Sequence, residues 1–311
     1  MKKPQFRFPR RAVDGIILLD KPRGLTSNEA LQKVRNLFKA EKAGHTGALD
    51  PLATGVLPIC LGEATKAAGI LLGNDKAYRV SAVLGIRTDT DDAEGRVLLQ
   101  RPVEPGSSAR LQSMLADFTG DILQVPPIYS ALKQGGEALY VKARRGEIVD
   151  LPARPVSIHG IRLLQCDESG FTLEVECGSG TYIRSLLRNL GRRLGCGTHV
   201  TAMRRLWVEP FRDWPLHTLE QLQALAEQGD NALDGVLHPV EKVLVAVPKR
   251  HLDADQARRV AMGQAVHLSS LNAACNLVQL CDENDRSLGL ASVDEAGRIH
   301  VQRLFRWAAV N

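Results

Sequence analysis

Gly44-His45-Thr46-Gly47-Ala48-Leu49-Asp50-Pro51-Leu52-Ala53-Thr54-Gly55 is the most unusual stretch of this chain. Its glycines permit tight backbone paths. Pro51 pushes Asp50 out of the helical region into an extended conformation. The expected result is a carboxylate presented on a stiff loop, within a glycine- and proline-punctuated segment, residues 41–58, that reads as one long structured loop. An Asp-Pro turn by itself serves structure more often than chemistry, so its meaning depends on what surrounds it.

Upstream, residues 15–19 read as a short buried strand and Asp20-Lys21-Pro22-Arg23-Gly24 as the turn after it. Thr26 and Glu29 form a capping-box pattern, and the helix it opens places Leu31, Val34, Leu37 and Phe38 on one face. Downstream, residues 78–84 read as a strand and residues 88–95 as an acidic turn into another. A helix after Ser108 turns Leu111, Met114, Leu115 and Phe118 inward. Residues 171–177 alternate apolar and polar, as a half-buried strand does. After Gly178-Ser179-Gly180 comes a helix with Ile183, Leu186, Leu187, Leu190 and Leu194 on one side and Arg184, Arg188 and Arg192 on another, a pattern that by spacing alone suits a solvated stripe. Strands and helices mix without a βαβ rhythm, so the predicted class is α+β. Asp253 with Gln256 repeats the capping-box pattern, Gly263 suits a helix stop, and short strands with Asp/Asn/Gly turns follow. The predicted division is residues 1–249, carrying a surface insertion at about 124–152, and a small β-rich module at 250–311.

Composition narrows the class. A chain 44% hydrophobic and 24% charged is ordinary globular material. No stretch reaches the roughly 18 to 20 apolar residues of a membrane span, and the apolar run after the basic N-terminus is too short for a signal peptide. The six cysteines contain no Cys-x-x-Cys pair, so zinc spacing is absent. These features predict a cytoplasmic protein with free thiols. Phosphate-binding, dinucleotide, zinc-protease and serine-hydrolase motifs are also absent. The acidic run Asp89, Asp91, Asp92, Glu94 lacks the glycine position and distal glutamate of a calcium loop, so no metal is expected. A net charge of +5 permits an anionic partner without demanding one.

The 44–57 segment resembles the catalytic motif of the TruB family of tRNA pseudouridine synthases. The likeness runs along nearly the whole chain and in the family's order. Asp20-Lys21-Pro22 with Gly24, Thr26 and Ser27 resembles the N-terminal motif, and Lys76-Ala77-Tyr78-Arg79-Val80 the tyrosine motif. Residues 85–95 resemble the acidic turn. Gln124-Val125-Pro126-Pro127, Tyr129-Ser130-Ala131-Leu132-Lys133 and Ala143-Arg144-Arg145-Gly146 resemble the RNA-clamping insertion. Gly180-Thr181-Tyr182-Ile183-Arg184-Ser185-Leu186 resembles the arginine motif. Before Arg204-Arg205 the family usually has leucine, where this chain has Met203, apolar and similar in volume.

The resemblance implies a mixed-sheet catalytic core followed by a PUA-like RNA-binding module. It implies isomerisation of uridine 55 in the T-arm loop of tRNA, without redox change and without a cofactor. Asp50 is the implied essential carboxylate, acting as a nucleophile at C1′ or in loss of a C2′ proton. Arg184 is its implied partner, Tyr78 the surface on which the base stacks, and His45 the residue at the RNA contact. Lys21 is expected to buttress the site, Tyr182 to pack beneath it, and Met203 to line it. Lys133, Lys142, Arg144 and Arg145 of the insertion are expected to meet phosphates. The expected partner is the tRNA T-arm stem-loop, acting on a monomer with no obligate protein partner. Two other readings stand beside this one. A non-catalytic protein that helps tRNA fold would keep the basic surfaces and could discard the carboxylate. A carboxylate-dependent hydrolase of nucleosides or sugars would need a second acid or base to activate water, and the sequence offers no obvious candidate.

Overall fold

A computed structural model of the chain describes residues 9–71, 73–130, 132–145, 147, 149–268 and 275–309, without the side chains of Lys133, Gln134, Ala138, Tyr140, Ala143, Arg144 and Ala309. In chain order the elements are β1 (Gly15–Lys21), α1 (Ser27–Leu37), β2 (Ala43–His45), β3 (Ala53–Leu61), α2 (Ala68–Leu71), β4 (Lys76–Leu84), β5 (Ile86–Thr88), β6 (Val97–Gln100), α3 (Ser107–Met114) and β7 (Gly120–Gln124). The insertion contributes β8 (Lys133–Gln134), β9 (Glu137–Ala138) and α4 (Leu139–Arg144). There follow β10 (Arg154–Cys166), β11 (Gly170–Cys177), α5 (Ile183–Leu194), β12 (Thr198–Val208), α6 (Leu219–Gln228) and α7 (Asp230–Asp234). The chain finishes with β13 (Lys249–His251), α8 (Ala254–Ala261), β14 (Cys275–Cys281), β15 (Ser287–Val293) and β16 (Ile299–Leu304).

The central sheet runs β1-β3-β12-β4-β11-β10-β7, with β2 also on β3. It is mixed: β12 lies parallel to β3 and antiparallel to β4. The α+β expectation therefore holds. β1 shows why its residues form an interior strand. Ile17 and Leu19 face the helix-covered side, where α1, α5 and the strand residues Val80 and Leu173 form the main core. Ile16 and Leu18 face the opposite side, in a second cluster with Val56, Phe211, Val243, Leu290 and Phe305. The capping boxes at Thr26 and Asp253 form as their sequences predict.

The long-loop expectation for residues 41–58 is corrected: β2 and most of β3 lie there, and only residues 41–42 and 46–52 are irregular. Glycine and proline were the misleading signals. Gly55 has a φ of +98°, and a Cβ there would stand 2.1 Å from the Arg205 carbonyl oxygen, so this glycine allows β3 and β12 to approach. Pro58 needs no N–H on its strand, and its carbonyl accepts from the Thr46 backbone.

The C-terminal strands form a separate sheet, β13-β14-β15-β16, with its own core of Val260, Val278, Leu280, Val293 and Ile299. Leu290 and Phe305 also join the cluster behind the central sheet. Polar contacts reinforce that seam: Lys66 Nζ donates to the Leu304 carbonyl at 2.6 Å and the Arg306 amide to Glu63 at 2.6 Å. Among the described residues, no helix is long and apolar enough to cross a membrane.

Candidate active site

Residues 46–52 leave the sheet where β3 changes neighbours: its first residues, Ala53 to Gly55, pair with β12, and its later ones, Ile59 to Leu61, with β2. The loop is held on both sides of Asp50. Leu49 and Leu52 are buried. The Leu49 amide donates to Ser27 Oγ at 2.7 Å, and that hydroxyl is 3.0 Å from the Leu49 carbonyl. The Pro51 carbonyl accepts from the Gly24 amide at 2.8 Å. Lys21, fully buried, points its ammonium at the carbonyls of Pro22 (2.9 Å), Leu25 (2.6 Å) and Pro51 (3.5 Å). Burial lowers its pKa to about 8. Lys21 thus occupies a buttressing position. The turn expected at residues 20–24 starts later, since β1 continues through Lys21.

Asp50 faces Arg184 in a two-point ion pair, Nε to Oδ2 at 2.8 Å and Nη2 to Oδ1 at 3.0 Å. The other guanidinium hydrogens meet the carbonyls of Thr90 (3.0 Å) and Tyr129 (2.9 Å), and Asp92 lies 3.5 Å from Nη1. These contacts match the five N–H groups of the fork. Arg184 is 5% exposed, against 36% for the Asp50 side chain, so the carboxylate alone keeps an open side. Burial pushes the Asp50 carboxyl above its ordinary pKa, Arg184 pulls it down, and the nearby Asp92 charge adds to the upward push.

The spacing that suits a solvated arginine stripe on α5 therefore misleads for its first two members. Arg184 and Arg188 turn inward, and Arg188 pairs with buried Asp91 at 2.6 Å. The acidic turn, read from sequence as a plain connection between strands, supplies two buried counter-charges to α5. The start of the insertion joins the same network. Gln124 Oε1 accepts from the Tyr182 amide at 2.7 Å, and the Val125 carbonyl accepts from Ser185 at 2.8 Å and Arg188 at 2.7 Å. Ser27, Asp91, Asp92 and Gln124 lie within stretches singled out in the sequence and Arg188 in the arginine stripe, but sequence reading assigned none of them a role at the site. Only the fold brings them to Asp50 and Arg184.

Tyr78 lies on β4 opposite Arg205 of β12, 7% exposed, and Met203 sits on β12 at the same exposure, opposite Val80 and Ala53. His45 ends β2, half-buried, with its pKa lowered first by burial and then by the Arg205 charge, which favours the neutral ring. Tyr182 caps the start of α5, half-buried, and burial pushes its hydroxyl above the ordinary pKa. The basic residues expected to meet phosphates come later in the insertion. Arg145 is exposed and bridges Glu137 at 2.8 Å and Glu147 at 2.7 Å. Lys142 is half-buried on α4, and the side chains of Lys133 and Arg144 lie outside the described residues.

Comparison with known proteins agrees with this geometry. Residues 35–183 match the family model for the TruB family pseudouridylate synthase N-terminal domain. Residues 184–245 match the tRNA pseudouridylate synthase B C-terminal domain, and residues 248–305 the C-terminal model of pseudouridine synthase II TruB. The chain is 52% identical over 303 residues to the tRNA pseudouridine synthase B of Xanthomonas campestris pv. campestris (strain B100), covering 97% of each. It is 47% identical over 305 residues to that of Histophilus somni (strain 2336), covering 98% of each. Among solved structures it resembles a chain of the archaeal box H/ACA sRNP Nop10-Cbf5 complex, with a TM-score of 0.70 and 25% identity over 98% of this chain and 91% of that one. A chain of a Cbf5-Nop10-Gar1 complex gives the same TM-score at 26% identity, covering 93% and 84%.

Proposed function

The chain belongs to the TruB family of pseudouridylate synthases, and from that membership we propose that it isomerises uridine 55 in the T-arm loop of tRNA, with Asp50 as the essential carboxylate. The observation that carries the assignment to Asp50 is its two-point pairing with a buried arginine while its own side chain stays partly open. Such a pair keeps the carboxylate ionised and aimed, as chemistry at an anomeric carbon requires. Tyr78 offers the face against which the detached base turns over. His45 and Tyr182 border the entry of the extruded nucleotide, and Met203 completes the apolar wall. Lys21 braces the loop from behind. Extruding a uridine costs a few kcal/mol of unstacking, offset by phosphate contacts along the insertion, where Lys133, Lys142, Arg144 and Arg145 provide positive charge.

In this reading the catalytic unit spans residues 1–249, and residues 250–311 form a PUA-like unit that adds RNA-binding surface, a division supported by the separate C-terminal sheet. Asp50, Tyr78 and Arg184 come from one chain, so a monomer suffices. The reaction involves no redox change and calls for no cofactor. The work is done where tRNA is matured, in the cytoplasm.

The test is tritium release from tRNA carrying 5-tritiated uridine, since C5 must lose its hydrogen. Wild type should release about one equivalent per tRNA. Asp50→Asn should lose roughly 10⁴-fold or more in rate, the scale of removing an essential catalytic group, while still binding tRNA. Normal turnover in that variant would remove Asp50 from the mechanism.

A further inference from the structure

Arg205 is the largest fully buried side chain among the described residues, at 2% exposure, yet it forms no ion pair there. Nε donates to the Val56 carbonyl at 2.7 Å and Nη2 to the Gly47 carbonyl at 3.1 Å. Those bonds brace the two flanks of the Asp50 loop. Gly47 has a φ of +77°, and a Cβ there would meet Arg205 Nη1 at 3.4 Å, so the loop wraps closely on this guanidinium. Bracing two carbonyls needs donors, not a charge. Burying a cation without a carboxylate is costly, so the charge requires its own explanation.

The neighbours supply one. Arg205 stands opposite Tyr78 in the β12–β4 register, and its positive charge acts on the buried Tyr78 hydroxyl. Its field also reaches His45, Lys21 and Lys76. The Asp50 charge is already engaged by Arg184. The floor beneath Tyr78 is therefore electropositive and closed to water, which is where a fixed charge acts most strongly on a developing anion.

We infer that Arg205, set opposite Tyr78 across the β12–β4 register, serves the base site through its unpaired charge, stabilising the anion that uracil becomes on leaving C1′. This rests on the reading of Tyr78 as the stacking surface. When the C1′–N1 bond breaks, its electron pair stays with the base, whose negative charge spreads over N1, O2 and O4. The sugar's deficiency is met by an Asp50 oxygen or by loss of the C2′ proton, which later returns. C5 then bonds C1′, C5 gives up its proton, N1 takes one, and no net charge remains.

The experiment compares single-turnover consumption of the target nucleoside in a T-arm RNA carrying uridine or 5-fluorouridine, read by chromatography after digestion. Fluorine stabilises the base anion, so cleavage leans less on the protein's charge. Arg205→Gln keeps donors and loses the charge, whereas Arg205→Lys keeps the charge. Arg205→Gln should lose roughly 10²–10³-fold on uridine, with RNA affinity unchanged, and distinctly less on 5-fluorouridine. Arg205→Lys should recover part of the rate and wild-type sensitivity to fluorine. Equal losses on both substrates, or a glutamine variant faster than the lysine one, would reduce Arg205 to a brace and overturn the inference. Circular dichroism and melting curves identify a variant that fails to fold, in which case Arg205→Lys decides alone: the inference requires it to keep wild-type sensitivity to fluorine, and loss of that sensitivity overturns it. Wild-type protein inactive on the uridine RNA would instead refute the underlying reading.

Discussion

At the scale of single residues, Asp50 is governed by opposing influences. Burial and Asp92 favour the neutral acid, and Arg184 favours the carboxylate. Because the proposed mechanism uses the ionised form, the rate should fall as pH drops through a value above the ordinary aspartate pKa. Arg184→Lys replaces a two-point fork with a point charge, so it should weaken the downward pull and move this acid limb to higher pH. It should also slow the reaction roughly 10²-fold, the scale of slight misplacement of a reacting group. A pH profile of single-turnover rates checks both. An acid limb unmoved in the variant would mean that Arg184 does not set the ionisation of Asp50. Asp50 and its partner Arg184 were legible in sequence through their motifs. Asp92 was not, because nothing in a run of turn carboxylates says which will be buried against an arginine 92 positions further on.

At the scale of elements, α5 acts as a rail. It holds Asp50 through Arg184, the acidic turn through Arg188, and the first residues of the insertion through Gln124 and Val125. The insertion is thus tied at its base to the groups that hold the carboxylate, while its basic residues come later in its sequence. Arg145 already has Glu137 and Glu147 as partners, so phosphate must compete with them. Changing Lys142, Arg144 and Arg145 to glutamine should weaken RNA binding and flatten the salt dependence by roughly 0.7 to 0.9 in log–log slope for each phosphate left without its cation. Filter binding over a salt series reads this directly, and an unchanged slope would place the main RNA surface elsewhere. Strand alternation in β11 and helical spacing in α5 were visible because each is set locally by side-chain period. The strands within residues 41–58 were hidden because their glycine and proline serve contacts with distant β12 and Thr46.

At the scale of the whole molecule, the C-terminal sheet is both an element with its own core and a cover for the back of the central sheet. Phe305, 1% exposed, belongs to the shared cluster with Ile16, Val56 and Phe211. Phe305→Ala should lower stability by about 3–5 kcal/mol, measured by urea unfolding. Because the cluster lies on the face opposite the helix-covered core, the rate per folded molecule should change little. A stability loss below about 1 kcal/mol would show that the seam bears little on folding.

The sequence by itself determined the class of the fold, the capped helices and the family, because each depends on residue identity at short separations. Only the tertiary structure decided which charges are paired. It turned two arginines of an apparently solvated stripe inward, set Asp91 and Asp92 against them, and left Arg205 buried among carbonyls. Charge pairing depends on distances between residues remote in the chain and on how far water is excluded between them, and neither quantity is written in local sequence.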